Sequence, residues 1–371
     1  MLESETKECK ATKLLKSLGY SSPKKLTDRG ERNTIKITLF EAEILKDLNS
    51  KEKVVIRMVE NLDPEVLAEF EKEYEAAKIV KDINHPNIVK INKVIPYEKY
   101  LIIEMPKYFS DLEQLVLQNE TASEETCLPT DLIFMVAYQL TNTLVFLETK
   151  KIIHRDISLA NLLVEEFDKE KGILKIVLAD FERMHSGPPK MCDGDIDLSS
   201  GGQVTSPPEL YSETYDVWEL GAIIYQMITG DLTTTFRLLQ PHQLRIHLYG
   251  TDEENQVVTD GLYQKRLRNS YMVPYLWSCF QNHAKRIPSV AIMEEILAQF
   301  YFYVSNTKKI LTKERKEKPK EFFVLNFFQH LATNEDKFEE ILKMESKDMN
   351  NTELYIKNVF NTMFGNKGVF N

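Results

Sequence analysis

The sequence is poor in cysteine and has no long apolar segment. Its four cysteines are far apart and form no CxxC pair, which argues against a disulfide scaffold or a zinc site. The first residues lack the apolar core of a signal peptide, and no uninterrupted apolar run approaches the roughly 20 residues that span a bilayer. We therefore expect an intracellular protein, cytoplasmic or nuclear, with no membrane span.

An excess of positive charge is also absent. The formal net charge is -10, and binding to a nucleic-acid backbone needs a basic face, so nucleic acid is not expected as the main partner. The hydrophobic fraction of 43% and the aromatic fraction of 10% are typical of a globular chain. With 371 residues, the chain is long enough for one large or two modest domains.

Along the chain, strand patterns come before most helical patterns. A helix is expected directly after Asp63, with Asp63 as its cap and Pro64 at its first position. Strands before helices indicate two segregated lobes. The β-branched runs that predict strands are 35–39, 54–58, 88–94 and 100–104. The remaining helical patterns are 11–18, 130–150, 217–229 and 290–304.

The most specific segment is Ile152–Val164, which contains His154-Arg155-Asp156 followed by Asn161. It resembles the catalytic loop of the protein kinase family, H-R-D-x-x-x-x-N. By that resemblance Asp156 is the catalytic carboxylate that orients the attacking hydroxyl, and Asn161 is a magnesium ligand. Taken alone, the same residues would also fit a capped turn after a helix.

A second segment, Ile176–Glu182, is an apolar strand that ends in Asp180-Phe181. It resembles the family's D-F-G segment, with Asp180 as the main catalytic magnesium ligand. The resemblance extends over residues 26–305 and implies an α+β, two-lobed protein kinase fold, with a small β-rich N-lobe containing one long helix and a larger helical C-lobe. The further matches, in family order, are His85–Val89, Leu101–Met105, Ser206–Glu209, Asp216–Gly221 and Lys285–Ser289.

Three regions are expected on this basis. They are an N-terminal extension (1–25), a kinase-like domain (26–305, with its N-lobe at 26–105 and its C-lobe at 106–305), and a basic linker with a helical C-terminal extension (306–371). The lysine- and arginine-rich segment 308–320 is interpreted as a solvated linker, with a basic targeting or lipid-binding patch as the alternative.

The resemblance also implies structural and regulatory residues. Glu209 and Arg286 should form a buried ion pair. In the family, an arginine such as Arg155 often pairs with a phosphate on the activation segment. Here the acidic residues of 193–197 could substitute for that phosphate, and a solvated acidic loop is the alternative. The residues assigned to these roles are His154, Arg155, Phe181, Glu209, Asp216 and Arg286.

The cofactors that the resemblance implies are ATP and Mg²⁺. Ile103 would be the gatekeeper, Glu104 and Met105 would offer backbone groups to adenine, and Leu163 and Val55 would lie below and above the base. The predicted nucleotide-binding residues are Gly30, Ile37, Val55, Arg57, Glu73, Ile103, Glu104, Met105 and Leu163.

Four departures from the family pattern touch the nucleotide. Only Gly30 remains of the three glycines of the phosphate-binding loop. Val55 and Arg57 stand where the family has alanine and lysine, and a guanidinium does not simply replace an ammonium at a phosphate. Glu182 replaces the D-F-G glycine and would bring a negative charge beside the metal site.

One pairing of the family looks intact. Glu73 falls within the apolar stripe of the predicted helix and needs a partner there, for which Arg57 is the natural candidate. The alternative places Glu73 at the edge of the stripe, in water. Lys36 could replace the missing lysine only through a bulge, because strand alternation points it opposite to Ile35 and Ile37.

The substrate class is not readable from the sequence. Ser158, Ala160 and Gly202 stand where the family has residues that distinguish serine/threonine from tyrosine kinases or bind the substrate. Three functions fit: a divergent protein kinase acting on a protein hydroxyl, with Ser/Thr favoured; a pseudokinase that binds or scaffolds a protein partner; and a small-molecule kinase, because residues 180–182 resemble a D-x-E metal motif.

Overall fold

The structure is a computed structural model, and it divides into two compact units. The first contains the chain up to Phe109 together with Ala179–Met184, and the second contains Ser110–Leu178 and the chain from His185 onward. The structure describes residues 10–32, 34–45, 50–63, 65, 67–119, 126–168, 173–187, 205–207, 212–234, 236, 248, 265–267, 270, 272–281, 284–289, 291–293 and 296.

The first unit is built on a five-stranded antiparallel sheet with strand order β1-β2-β3-β5-β4. This is the β-rich unit that the kinase resemblance predicts. Its elements are α1 (Lys10–Ser17), β1 (Ser21–Arg32), β2 (Ile35–Leu45), β3 (Lys51–Asn61), α2 (Ala68–Lys81), β4 (Lys93–Tyr97) and β5 (Tyr100–Pro106).

Side chains alternate between the two faces of this sheet, and each face has its own core. On the outer face, Ile56 and Ile102 are buried with Leu15 of α1. On the inner face, Val59 and Ile103 are buried in one cluster with Ala77 of α2. The sheet is therefore covered by a helix on both sides, and the outer helix comes from the predicted N-terminal extension, which also contains the start of β1.

Two predicted boundaries were wrong. Helix α2 begins at Ala68 and not directly after Asp63, because the Asp63 carboxylate accepts a hydrogen bond from the Glu65 N–H at 3.0 Å and closes a turn there. The fourth strand is Lys93–Tyr97, not 88–94. Its Pro96 is compatible with a strand at the edge of the sheet, where the missing N–H need not enter a ladder.

The second unit combines helices with two small sheets, of strand order β6-β8-β9 and β10-β7. Its helices α4 and α5 match the predicted helices 130–150 and 217–229 within two residues. The elements are β6 (Ser110–Asp111), α3 (Leu112–Asn119), α4 (Thr130–Thr149), β7 (Ile152–Ile153), β8 (Leu162–Asp168), β9 (Ile173–Leu178), β10 (His185–Ser186), α5 (Tyr215–Thr229) and α6 (Val273–Cys279).

Helix α5 is buried along its whole length, and it approaches α6 closely. A Cβ atom on Gly221 would lie only 2.6 Å from the Cβ of Cys279 and 3.1 Å from the ring of Phe280. Such contacts are too short for any side chain, so the close packing of α5 on α6 requires glycine at this position.

The outer edge of β9 is paired with a side chain of α4. The Gln139 Nε2 donates a hydrogen bond to the Leu174 carbonyl at 2.7 Å, and its Oε1 accepts one from the Ile176 N–H at 3.0 Å. The amide of Gln139 thus bonds the strand as the backbone of another strand would.

Helix α4 includes a stretch, Leu132–Thr149, that is long and apolar enough to cross a membrane, and 67% of this stretch is buried inside the structure. The core helix of a soluble protein meets the same criteria, so the expected absence of a membrane span remains a prediction. Several other predictions lie outside the described residues: the 308–320 linker, the C-terminal extension, most of the 290–304 helix, Gly202, Glu209 and the acidic residues of 193–197.

Candidate active site

In the first unit, Arg57 contacts three carboxylates. From β3, its Nη2 lies 2.8 Å from Glu73 Oε1 on α2 and 2.6 Å from Glu182 Oε2, and its Nη1 lies 3.2 Å from Asp180 Oδ1. None of these four side chains is more than 14% exposed. A guanidinium suits this position because its planar fork presents several N–H donors in fixed directions.

These four residues, which we call the Arg57 cluster, carry one positive and three negative formal charges. Burial alone would lower the pKa of Arg57, but the charges of Asp180 and Glu73 outweigh it and raise the pKa above that of a free guanidinium. Arg57 therefore stays protonated at every pH at which the protein is folded. It is the positive charge that makes three buried carboxylates tolerable.

The pairing of Arg57 with Glu73 confirms the sequence prediction. Strand alternation places Arg57 on the inner face of the sheet, and the helical period places Glu73 on the buried side of α2 with Ala77 and Val80. Lys36, the alternative cation, points away as predicted: its Nζ lies 3.8 Å from Glu31, while the neighbouring Ile35 and Ile37 are buried.

Glu182 is the member of the cluster whose partner the sequence did not reveal. It was expected to place a negative charge beside the metal site, and in the structure its carboxylate bonds to Arg57. The sequence shows both departures, Arg57 for lysine and Glu182 for the D-F-G glycine, but these residues are 125 positions apart and no local pattern links them. Arginine has the same charge as lysine, so Arg57 supplies additional hydrogen-bond donors for Glu182 but no additional positive charge.

Asp180 has an unusual backbone. Its φ of 65° and ψ of 66° place it in the left-handed region, which is uncommon for a residue other than glycine. The next residue, Phe181, is 5% exposed and begins a 3₁₀ turn that ends at Arg183. Strained residues of this kind concentrate at functional sites, and here the strain directs the Asp180 carboxylate toward Arg57.

In the second unit, a buried carboxylate orders the loop that follows β7. Asp216 accepts hydrogen bonds from the backbone N–H groups of His154 at 2.7 Å and Arg155 at 2.9 Å. Arg155 has a positive φ of 64°. Burial raises the pKa of Asp216 to about 6, although the two backbone hydrogen bonds act in the opposite direction. Asp216 thus stabilises a strained turn immediately before Asp156.

Asp156 itself is only 2% exposed, and Asn161 orients it. The Asn161 Nδ2 donates hydrogen bonds to the Asp156 carbonyl at 2.9 Å and to Asp156 Oδ2 at 3.2 Å, and the Asp156 N–H donates to His154 Nδ1 at 3.2 Å. Because the nitrogen of the Asn161 amide faces Asp156, its oxygen is the atom that a cation would bind.

Two residues that stabilise this loop were not identified from the sequence. Glu219 Oε2 accepts a hydrogen bond from the Ile157 N–H at 2.8 Å, and Thr205 Oγ1 donates one to the Ile157 carbonyl at 3.0 Å. Glu219 could have been found, because it follows Asp216 by three residues and a helix places both on one face. No comparable signal distinguishes Thr205, which only the fold brings to Ile157 from 48 positions away.

The predicted adenine contacts lie in both units. Ile37 and Ile103 are buried in the inner-face core of the first unit. Val55 and Met105 are half-buried and face each other in the β3–β5 register. Leu163 is half-buried on β8 in the second unit. These placements fit apolar contacts to a base but do not test them.

The remaining nucleotide candidates are backbone positions. Gly30 lies on β1 opposite Ile37. The Glu104 carbonyl, expected to face adenine, accepts a hydrogen bond from the Asn92 N–H at 2.8 Å, and its carboxylate is buried on the outer face of the sheet. A carbonyl can accept a second hydrogen bond, so the expected role of Glu104 remains a prediction.

Arg286 lies against Trp218 of α5, with its guanidinium carbon 4.9 Å from the centre of a Trp218 ring. It also donates hydrogen bonds to the carbonyls of Thr214 at 3.0 Å and Gln281 at 3.0 Å. Its predicted partner Glu209 lies outside the described residues, so the ion pair stays a prediction.

Comparison with known proteins agrees with this geometry. The family model of the protein kinase domain matches residues 41–237, more than half of the chain. The ovarian-specific serine/threonine-protein kinase Lok of Drosophila melanogaster is 27% identical over 161 residues, which cover 42% of this chain and 32% of that protein. The serine/threonine-protein kinase atg1 of Dictyostelium discoideum is 32% identical over 199 residues, which cover 50% of this chain and 25% of that protein.

The protein kinase domain-containing protein ppk9 of Schizosaccharomyces pombe is 26% identical over 209 residues, or 54% of this chain and 35% of that protein. The matched regions thus span between a quarter and about a third of these relatives. The family-model match at residues 41–237 includes the catalytic-loop and D-F-G-like segments. The chain belongs to the protein kinase family.

Proposed function

We propose that this chain is a divergent protein kinase that transfers the γ-phosphate of ATP to a protein hydroxyl, most readily of serine or threonine. The observation that supports this proposal is the built catalytic loop of the second unit. Asp156 is the base that orients the hydroxyl, Asn161 fixes Asp156, and Asp216 and Glu219 hold the loop through its backbone.

Magnesium is the metal that the family implies, and the donors present fit it. A carboxylate oxygen of Asp180 and the amide oxygen of Asn161 are ligands of the kind that Mg²⁺ prefers. When bound, magnesium would neutralise charge on the ATP phosphates.

The Arg57 cluster should weaken the binding of the ATP phosphates. The guanidinium is already bound to Glu73, Asp180 and Glu182, and a phosphate would have to compete with carboxylates that are within 3.2 Å. Glu182 also adds a negative charge that repels phosphate. The same observation favours the second candidate function, a pseudokinase that binds a protein partner without turnover.

A thermal-shift titration with ATP, with and without Mg²⁺, separates these functions. A ligand that binds only the folded state at 100 times its dissociation constant stabilises by about 2.7 kcal/mol. Magnesium-dependent stabilisation, together with transfer of labelled γ-phosphate to casein, would support a kinase. No stabilisation and no transfer would reject it in favour of a scaffold.

Two variants test whether phosphate transfer depends on the catalytic loop. Asp156→Asn keeps the size of the side chain and removes its charge, and it should abolish transfer. Glu165→Gln is the matched control, because it neutralises an exposed carboxylate of β8 that pairs with Lys175. Transfer that survives Asp156→Asn would mean that the catalytic assignment is wrong.

A further inference from the structure

The end of helix α1 places one tyrosine on the outer face of the first unit's sheet. Gly19 has a φ of 91°, the Tyr20 N–H donates to the Leu15 carbonyl at 3.1 Å, and the Gly19 N–H donates to the Lys16 carbonyl at 3.1 Å. This is the Schellman arrangement that ends helices at a glycine. It turns the chain sharply, so that Tyr20 packs with Leu15 in the outer-face core and is 3% exposed.

The Tyr20 hydroxyl bonds to a carboxylate on β5. It donates to Glu104 Oε2 at 2.8 Å, and Lys93 Nζ lies 2.9 Å from the same oxygen. Asn92 Nδ2 donates to Glu104 Oε1 at 3.3 Å. Glu104 is 1% exposed, whereas Lys93 is 53% exposed. The buried charge of Glu104 is therefore balanced by one exposed lysine and by two neutral donors.

Glu104 connects this outer-face network to the inner face of the sheet. It lies between Ile103 and Met105, whose side chains point to the inner face because strand residues alternate. Its own carbonyl is held by the Asn92 N–H at 2.8 Å. Side chain and backbone of Glu104 are thus both held by hydrogen bonds, on the segment that also carries Ile103 and Met105.

We propose that Tyr20 is a positioning residue for the nucleotide: through Glu104 it holds residues 103–105 of β5 in the conformation that binds ATP. The segment from Lys10 to Tyr20 is then part of the nucleotide-binding machinery and not a detachable leader. Tyr20 acts only through Glu104, on the opposite face of the sheet from Ile103 and Met105. The effect of Tyr20 on ATP binding rests on the proposed function, whereas its effect on the conformation of residues 103–105 does not.

The test compares two matched variants. Tyr20→Phe removes only the hydroxyl that bonds to Glu104. Tyr100→Phe makes the same change at the other end of β5, where the Tyr100 hydroxyl donates to Glu60 at 3.4 Å and not to Glu104. Hydrogen exchange of the amides at 103–105 and 92 is measured for both, with the Michaelis constant for Mg·ATP and the turnover number.

Tyr20→Phe should accelerate exchange at 103–105 by about tenfold, because the buried Glu104 carboxylate loses one of its three donors. It should raise the Michaelis constant for ATP by about three- to tenfold, with turnover within about twofold of wild type. Tyr100→Phe should change neither quantity. A merely structural contribution of Tyr20 would lower the melting temperature and leave the Michaelis constant unchanged.

The outcomes distinguish the two proposals. Unchanged exchange at 103–105 in Tyr20→Phe overturns the role of Tyr20, whether or not the protein binds ATP. Faster exchange with an unchanged Michaelis constant overturns its role in nucleotide positioning. If the wild type shows no ATP binding at all, the proposed function fails, and the nucleotide role of Tyr20 fails with it.

Discussion

The Arg57 cluster predicts a strong asymmetry between removing its cation and removing one of its acids. Arg57→Met fills similar space but leaves Glu73, Asp180 and Glu182 as three buried carboxylates without the guanidinium. Stranding a single buried charge costs about 3–5 kcal/mol, and we expect at least that loss in the free energy of unfolding. For a unit of about 115 residues the melting temperature should fall by roughly 10 to 30 °C.

Glu182→Gln should behave very differently. The glutamine carbonyl can still accept a hydrogen bond from Arg57 Nη2, and the cluster loses one of two excess negative charges. We expect a change within about 1 kcal/mol of wild type, of either sign. Arg57→Lys should fall between the two variants, because an ammonium cannot match the guanidinium's fixed fork to several carboxylates.

Chemical denaturation at pH 7 and pH 5 measures the free energy of unfolding of Arg57→Met and of Glu182→Gln. In Arg57→Met the three carboxylates repel one another without a cation, and protonation relieves this repulsion in the folded protein but not in the unfolded chain. Its stability relative to wild type should therefore recover as the pH falls. Equal costs for Arg57→Met and Glu182→Gln, or no recovery at pH 5, would refute this account of the cluster.

The catalytic loop, the packing of α5 and the family residues at positions 57 and 182 give four more tests. Burial raises the pKa of Asp216 from 3.8 to about 6, so the free energy of unfolding of the wild type should fall as the pH rises from 3.8 to about 6. Asp216→Asn should be less stable than the wild type. Denaturation curves across this pH range should show that the variant lacks this pH dependence. Asp156→Asn should lower phosphate transfer by at least about 100-fold with an unchanged melting temperature, and a parallel loss of both would indicate misfolding. Gly221→Ala should cost about 1–3 kcal/mol in urea titrations, since its Cβ would lie 2.6 Å from another Cβ; no cost would contradict the packing described. Restoring both family residues, with Arg57→Lys and Glu182→Gly, should raise transfer by a divergent kinase and leave a scaffold inactive.

Much of the fold was readable from the sequence because the patterns are periodic. The β-branched run 54–58 predicted the strand that carries Arg57, and the apolar stripe of the predicted helix indicated that Glu73 is buried with Arg57 as its partner. The start of α2 was misplaced because Asp63 fits a helix cap and a turn equally well. The fourth strand was misplaced because β-branched residues such as Ile88 and Val89 can be buried before a strand as readily as within it.

The partners of charged side chains were less predictable than the elements that carry them. Glu182 was identified as a departure from the family, but its bond to Arg57 depends on a tertiary arrangement that no local pattern encodes. The network of Tyr20, Lys93 and Glu104 joins residues up to 84 positions apart, and only the folded sheet brings them together. Thr205 was missed for the same reason.

The side-chain amide of Gln139 has a consequence for how the second unit folds and avoids aggregation. An edge strand such as β9 exposes backbone N–H and C=O groups that could recruit a strand from another molecule. Gln139 occupies those groups at Leu174 and Ile176, so the strand is protected only once α4 has docked. Helix and hairpin must therefore become ordered together, and a chain in which α4 is displaced would expose an edge competent for intermolecular β-pairing.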